Sequence, residues 1–166
     1  IIWTKEYNKG NWLNEGTHIV PSADGKFCIT GYVDMSLSNS SYNYNFLMLK
    51  INPSDGSPVW FKELGTDKQD FCVSSSATAD GGFILVGTTN RQTQPVSDSK
   101  SYIYLLKLNA SGEQEWIRKI GEDYALQGLY AKANEDNSYT IIGNKQGYGN
   151  SNVLHSIFIK TKPIQK

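Results

Sequence analysis

Apolar and aromatic residues occur along the chain in short runs that are separated by polar turn residues. Representative runs are KFCITGYV, GFILVGTT and YIYLLKLN, and each is rich in β-branched or aromatic side chains. Asp-Gly or Ser-Gly pairs bound these runs, as expected for tight turns between strands. No segment keeps apolar residues at i, i+3, i+4 and i+7, the spacing of an amphipathic helix. The pattern therefore predicts an all-β protein.

The strand pattern repeats three times with a period of about 56 residues. The phrase DGGFILVGTTN at 80–90 has counterparts in DGKFCITGYVD at 24–34 and DNSYTIIGNKQ at 136–146. Four kinds of residue recur at equivalent positions of the three repeats, and each set is here called a structural column. The columns are Asp24, Asp80 and Asp136; Gly31, Gly87 and Gly143; Trp3, Trp60 and Trp116; Lys50, Lys107 and Lys160. Four independent columns in register indicate a repeat protein rather than a chance similarity.

Each period predicts four antiparallel strands, which is typical of one blade of a β-propeller. The predicted units make three four-stranded blades: a blade at 14–64, a second at 70–120 and a partial blade at 126–162, with a strand at 1–8 that completes the last blade. Hairpin turns are expected at Asp24-Gly25, Asp80-Gly81 and Asp136-Asn137. The segments 34–44, 89–101 and 145–154 differ in every repeat, so a specific partner would be recognised there.

The stretch DGGFILVGTT followed by YIYLLKLNASGEQEWIRKIG resembles bacterial extracytoplasmic β-propeller repeats. In that group a DGG turn, a strand ending in Gly, a strand ending in Lys and a Trp follow one another in each blade. The spacing Gly56 to Trp60 and Gly112 to Trp116 is similar to the tryptophan-docking segment of quinoprotein-type propellers. The resemblance covers the whole chain and implies a fold, because its motifs are structural and occur in proteins of many functions.

Three blades are fewer than the four to eight that usually close a ring. Two alternatives follow. A homodimer would form a six-bladed ring in which the N-terminal strand, with Ile2, Trp3, Lys5 and Tyr7 as its candidate exchange edge, completes the partner's last blade. Otherwise the chain is part of a longer propeller that supplies further blades, which fits its start at Ile1 rather than Met.

Composition narrows the choice of partner. The 16 basic and 16 acidic residues balance, so no overall field attracts nucleic acid or an anionic membrane, and no stretch is apolar enough for a transmembrane helix. The two cysteines, Cys28 and Cys72, are too few for a metal centre, and two buried free thiols are favoured over a disulfide. The Tyr- and Asn-rich composition suits an extracytoplasmic protein that is periplasmic, secreted or at the cell surface.

Few residues are candidates for chemistry. His18 and His155 are isolated and are expected to be structural or exposed. Lys5, Lys62 and Arg118 each follow a Trp by two residues; an outer-strand, solvent-facing position is favoured over a ligand-facing ring of cations. The lysines of the Lys50 column either line the mouth of the ring or protect strand edges from pairing with other chains. Trp12 matches no repeat column, so it is the candidate for contact with a partner.

These observations predict a non-enzymatic binding or scaffolding propeller that uses no cofactor and presents its variable loops to a protein or glycan. The alternative is an enzyme, either of quinoprotein type with pyrroloquinoline quinone and calcium or a carbohydrate-active propeller. No Gly-x-Ser-x-Gly, His-Glu-x-x-His or phosphate-loop motif favours that alternative.

Overall fold

The fold is all-β, as the strand pattern predicts. The computed structural model describes residues 1–8, 14–35, 43–90, 100–121, 125–146 and 153–163, and no helix occurs among them. Consequently no helix in this part of the chain is able to span a bilayer. The described residues contain eleven strands: β1 (Asn14–Pro21), β2 (Phe27–Asp34), β3 (Tyr44–Ile51), β4 (Pro58–Leu64), β5 (Phe71–Ala77), β6 (Phe83–Thr89), β7 (Tyr102–Leu108), β8 (Gln114–Ile120), β9 (Leu126–Ala133), β10 (Tyr139–Gln146) and β11 (Leu154–Lys160).

The strands form three antiparallel sheets, one for each repeat. The first sheet has the order β1-β2-β3-β4, the second β5-β6-β7-β8 and the third β9-β10-β11. Every strand pairs with its neighbour in sequence, so each sheet is a simple meander. A meander results because short polar turns join successive apolar runs.

The second sheet lies between the other two and packs against both. One core cluster joins the first and second sheets and includes Phe46, Met48, Phe83 and Leu106. A second cluster joins the second and third sheets and includes Ile84, Leu105 and Ile141. Both faces of the second sheet are therefore covered, which explains why β6 and β7 are apolar almost throughout.

The first strands of neighbouring sheets contact each other at both junctions. The Thr17 hydroxyl donates to the Cys72 carbonyl across the first junction (3.1 Å), and the Ser76 hydroxyl donates to the Ala131 carbonyl across the second (2.6 Å). The contacts join β1 to β5 and β5 to β9, which are the first strands of the three sheets. These strands converge, whereas β4 and β8 lie on the outer edges.

Two kinds of connection separate to opposite ends of the sheets. The tight turns lie at one end, here called the turn end, where Gly25, Gly81 and Asn137 have φ values of +76°, +78° and +58°. Gly56 and Gly112 occupy the corresponding position in the turns before β4 and β8, at φ +70° and +78°. The β2–β3, β6–β7 and β10–β11 connections leave the opposite end, here called the connection end.

Residues 1–8 form no strand, in contrast to the strand expected there. They lie against the first sheet, where Trp3 and Tyr7 pack on the cluster of Val33, Leu47, Leu49 and Ile51. The edge strand β11, which the predicted strand was expected to complete, belongs to the third sheet on the far side of the second. Residues 1–8 therefore pack on the first sheet and pair with no strand among the described residues.

Candidate functional site

At the turn end, the Asp and Lys columns form ion pairs with each other. Lys107 Nζ lies 3.1 Å from Asp80 Oδ2 and 2.9 Å from Glu115 Oε2, and it donates to the Leu108 carbonyl at 2.9 Å. In the first sheet Lys50 Nζ lies 3.1 Å from Asp24 Oδ2 and 5.8 Å from the centre of the Trp60 ring. These lysine side chains are only 6% and 3% exposed for Lys50 and Lys107, so they neither line an open mouth nor blunt an exposed edge.

The same pair is open to solvent in the third sheet. Lys160 Nζ lies 3.4 Å from Asp136 Oδ2, but the Lys160 side chain is 63% exposed. In the first two sheets, the next sheet or a fourth strand covers this position. The exposure of Lys160 therefore reflects the position of β11 at a sheet edge, where no further strand covers it within the described residues.

Two of the turn aspartates, Asp24 and Asp136, are held in their ionised form. Loss of hydration alone would raise the pKa of Asp24, but hydrogen bonds from Ser22, Lys50 and Lys26 together hold that pKa well below its ordinary value. The hydroxyl and backbone N–H of Ser138 lower the pKa of Asp136 in the same way. Each carboxylate thus closes its turn as an acceptor and also neutralises a lysine. That role is structural.

Each Trp of the column reaches the following sheet. An added Cβ at Gly112 would lie about 3 Å from the Trp60 ring, and one at Gly56 would lie at a similar distance from the Trp3 ring, so both indoles pack directly on a turn glycine. The Trp116 ring meets Tyr139 of the third sheet edge-on, with centroids 5.5 Å apart. The indoles are thereby engaged between repeats, which leaves them poorly placed to stack on a sugar.

The cations that follow each Trp have separate surroundings. Lys62 forms an ion pair with Glu113 in the turn of the next sheet. Lys5 lies close enough to Asp55, in the equivalent turn of the first sheet, to lower the pKa of that carboxyl, although hydrogen bonds from Ser57 lower it more. Arg118 lines an open groove with Lys119 and Lys162. These positions follow the outer strands, and the three cations do not face one common ligand position.

The Gly31 column marks a bulge in the first strand of every sheet. The strand registers shift between Gly16 and His18, between Cys72 and Ser74, and beside Gly143. An added Cβ at Gly31 or Gly87 would overlap the carbonyl group of Glu15 or Phe71 in the neighbouring strand. Glycine is needed at these positions because another backbone crosses there.

The connection end contains the most strongly buried acid of the described residues. Asp70 is fully buried in the β4–β5 connection, where Oδ2 accepts hydrogen bonds from the Thr66 backbone N–H and hydroxyl. Burial raises the pKa of Asp70 in spite of these bonds. Burial and the nearby Asp70 charge also raise the pKa of Tyr104 to about 12. Nothing in the sequence distinguishes Asp70, because a single acidic residue after DKQ belongs to no recognisable site motif.

Trp12 and most of the variable segments lie outside the described residues. The strands that carry these segments end or begin at Asp34, Tyr44, Thr89, Tyr102 and Gln146. Beside the first of them, Tyr32, Tyr44 and Phe71 form an aromatic cluster with centroid distances of 4.7–5.6 Å. This cluster is packed within the protein and supports the strand ends from which the first variable segment leaves.

The cysteines and histidines do not form a reactive group. Cys28 and Cys72 are buried free thiols, and burial raises the pKa of each to about 12, so both are protonated at neutral pH. His18 Nδ1 lies 3.4 Å from the Ser75 hydroxyl between the first two sheets, whereas His155 is exposed on β11. Among the residues that the structure describes, no three His, Cys, Asp or Glu side chains are arranged to hold a metal ion.

Within the described residues, the outer face of the third sheet is uncovered and that of the first sheet is covered only in part, by residues 1–8. Both faces correspond to faces that are buried elsewhere. Phe158 on β11 is 74% exposed, whereas Met48 and Leu105, which also stand two residues before a column lysine, are 0% exposed. On the opposite side of the molecule, Phe27 is 37% exposed, whereas its equivalent Phe83 is 0% exposed. The free face of the third sheet therefore corresponds to the faces that the first and second sheets bury against the sheet that follows, and the free face of the first sheet corresponds to the faces that the second and third sheets bury.

No known protein-family model matches the chain, and no curated protein matches it at a significant level. The function is therefore inferred from the repeat geometry and from the residues themselves.

Proposed function

We propose that the three sheets are blades of a β-propeller and that the protein is a non-enzymatic binding or scaffolding module. Its variable connections present a binding surface to a protein or glycan outside the cytoplasm, at a bacterial surface or in the periplasm. The composition supports this location, since it is polar and rich in Tyr and Asn. The charge balance argues against nucleic acid as the ligand.

One observation carries the proposal: the residues that recur in every repeat are used for turns, bulges and packing. The aspartates close turns and neutralise buried lysines. The glycines allow a neighbouring backbone to approach closely, and the tryptophans pack on the next sheet. What differs between repeats lies in the connections at the opposite end. Such a division between a repeated scaffold and variable loops is typical of binding proteins.

The ring of this propeller is completed by sheets beyond the three described. Either a second copy of the chain or further blades of a longer polypeptide supply them, and a two-fold pair would contain six blades, within the usual range of four to eight. The two free faces support such completion, because monomeric proteins rarely expose sheet faces of this kind.

The binding role is tested by probing glycan and protein arrays with the labelled chain. In one variant, residues 91–99 are replaced by a Gly-Ser segment of equal length, and the matched control is Ser111→Ala, an exposed substitution at the turn end. We expect the connection variant to lose binding with an unchanged Tm, while Ser111→Ala keeps it. Equal binding by both variants would place the ligand elsewhere, and a quinone absorption band in the purified protein would indicate an enzyme instead.

A further inference from the structure

We propose that residues 1–8 of one copy pair with β11 of a second copy in a single register, with Trp3 opposite Lys160, Lys5 opposite Phe158 and Tyr7 opposite Ser156. This inference rests on the proposed propeller, and it takes a second copy of the chain as the molecule that completes the ring. Each of the two chains would thereby supply the fourth strand of the other's third sheet.

The N-terminal segment already occupies the position of a fourth strand relative to the first sheet. The Trp3 ring and Lys5 Cγ lie against Gly56, and the Trp60 ring and Lys62 Cγ lie in the same way against Gly112. The segment is fixed further by the Trp3 indole N–H, which donates to the Pro53 carbonyl at 2.9 Å, and by the Tyr7 hydroxyl, which donates to the Gly56 carbonyl at 2.6 Å.

The equivalence extends four residues beyond each Trp. Leu64 packs beside Trp60 in the cluster between the first two sheets, and Ile120 packs beside Trp116 in the cluster between the second and third. Tyr7 packs beside Trp3 on the first sheet's free face. Trp3, Lys5 and Tyr7 face one side, as alternate residues of an extended strand do. Residues 1–8 thus make the packing contacts of a fourth strand without its backbone pairing.

The edge strand β11 has a free side with which residues 1–8 of another copy can pair. Within the described residues, β11 pairs with β10 on one side and with no strand on the other. An exposed edge of this kind presents unpaired N–H and C=O groups, which favour the addition of a strand. Pairing and packing are compatible, because β4 pairs with β3 while Trp60 packs on the following sheet.

The register follows from the two complete sheets. In the first sheet the pairs are Lys50 with Trp60, Met48 with Lys62 and Phe46 with Leu64. In the second sheet the equivalent pairs are Lys107 with Trp116, Leu105 with Arg118 and Ile103 with Ile120. Transfer of this pattern along the Lys and Trp columns gives the three pairs of the proposal.

A second copy is favoured as the occupant because one molecule would pair with residues 1–8, pair with the free edge of β11 and cover both free sheet faces. When β11 of the partner pairs with residues 1–8, the partner's third sheet covers the first sheet as the first sheet covers the second. Phe158 then enters a junction with Phe27 and Ile19, of which Ile19 is 55% exposed while its equivalents Ser75 and Ala131 are 1% and 0% exposed. The two-fold operation repeats the contact and closes the assembly.

The register is tested by disulfide formation between copies. Tyr7→Cys chains are mixed with Ser156→Cys chains under mild oxidation, and the control mixture contains Tyr7→Cys and Leu154→Cys chains. Directly opposite residues have Cα atoms about 4.5–5.5 Å apart, within the range that a disulfide spans, whereas diagonal neighbours are about 7–8 Å apart. Ser156 and Leu154 are both exposed on β11, and the native thiols are buried, so the two mixtures differ only in register.

We expect a cross-linked species of twice 18.5 kDa from the Ser156→Cys mixture, forming several-fold faster than from the control. Faster cross-linking through Leu154→Cys, in protein that light scattering shows to be dimeric, would overturn the register while leaving a two-fold ring intact. A monomeric mass at all concentrations would overturn the second copy as the occupant. Neither result would remove the binding role of the connections, which the array experiment tests separately.

Discussion

At the residue scale, the turn end depends on lysine side chains that are almost completely removed from water. A buried ammonium group is tolerated only when acceptors surround it. Lys107 has three such acceptors, namely Asp80, Glu115 and the Leu108 carbonyl. The aspartate of each turn is therefore coupled to the third strand of its sheet as well as to its own hairpin.

Asp80→Asn tests this coupling. The amide can still accept the hydrogen bond from the Gly82 N–H, but it leaves the buried Lys107 with one carboxylate in place of two. We expect a loss of roughly 1–3 kcal/mol in the free energy of unfolding, below the full cost of isolating a buried charge because Glu115 remains. Urea unfolding measures the change, and Asp67→Asn, in an exposed pair with Lys68, should alter stability by less than about 0.5 kcal/mol. Equal effects of the two substitutions would contradict the coupling.

Gly87→Ala tests the need for glycine beside the bulge. An added methyl group would overlap the Phe71 carbonyl, so we expect a loss of about 3 kcal/mol or more in unfolding free energy. The matched control is Gly16→Ala, whose added methyl group would meet only Ile29 Cγ2 at 3.4 Å, and this variant should lie within about 0.5 kcal/mol of wild type. If both variants unfold at the same urea concentration, the close approach at Gly87 is not limiting.

The sequence predicted the members of each column but not the interactions between columns. Asp80 and Lys107 are 27 residues apart, and nothing local joins them. They meet because two antiparallel hairpins bring the start of β6 beside the end of β7 at the turn end. The sequence accordingly allowed two roles for the Lys50 column, lining the mouth of the ring or protecting strand edges. The buried ion pair with the turn aspartate was neither of these roles.

At the scale of single elements, the β4–β5 connection differs from the tight turns because it carries a buried charge. The Asp70 N–H donates to the Tyr44 carbonyl at 2.7 Å, which holds the connection against the first sheet. Its carboxylate is bonded by Thr66, yet burial still raises its pKa. A carboxyl whose pKa is raised in the folded state favours folding below its unfolded value of about 3.9, and this contribution is lost as the pH rises through the folded pKa.

Asp70→Asn should therefore become more favourable as the pH rises. The amide retains an oxygen acceptor for Thr66 and carries no charge, so we expect the difference in Tm, variant minus wild type, to be more positive at pH 7 than at pH 4. Calorimetry at the two pH values measures it. Glu135→Gln removes an exposed carboxylate and should show no comparable trend. A Tm difference that does not depend on pH would mean that Asp70 does not titrate differently on folding.

The N-terminal element shows why a strand pattern and a formed strand are different things. Residues 1–8 alternate in the manner of β4 and β8, and Trp3 makes the same contact with a turn glycine as Trp60. A strand, however, needs a neighbouring edge to complete its hydrogen bonds, and residues 1–8 pair with none among the described residues. The structure shows the packing contacts of a fourth strand, and pairing with a second copy remains a proposal.

At the scale of the whole molecule, three sheets bury two junctions and leave the outer faces of the first and third sheets partly or wholly exposed. These faces contain side chains such as Phe158 and Phe27 whose equivalents are completely buried. Burial of a phenylalanine side chain contributes about 1.5–3 kcal/mol, so these faces favour association.

Phe158→Ser should weaken self-association without weakening the monomer. We expect the dissociation constant of the proposed dimer to rise roughly a hundred- to ten-thousandfold, since the two-fold pair buries two Phe158 side chains and each 1.4 kcal/mol is a factor of ten. Light scattering over a dilution series measures the constant. Ile117→Ser is the control, because Ile117 is a partly exposed residue of the second sheet, which contributes neither free face, and its dimer constant should stay unchanged. Equal weakening by both would show that Phe158 is not part of the interface.

The sequence by itself determined the all-β class, the threefold repeat and the positions of the turns. These features are local: Asp-Gly and Asp-Asn fix a backbone geometry within four residues, and alternation within a short run selects a strand. The tertiary structure alone decided which columns meet, that the column lysines are buried, that Asp70 is enclosed, and that residues 1–8 lie against the first sheet without pairing. These outcomes depend on side chains from distant repeats sharing one junction, and a local pattern carries no information about the neighbour that covers it.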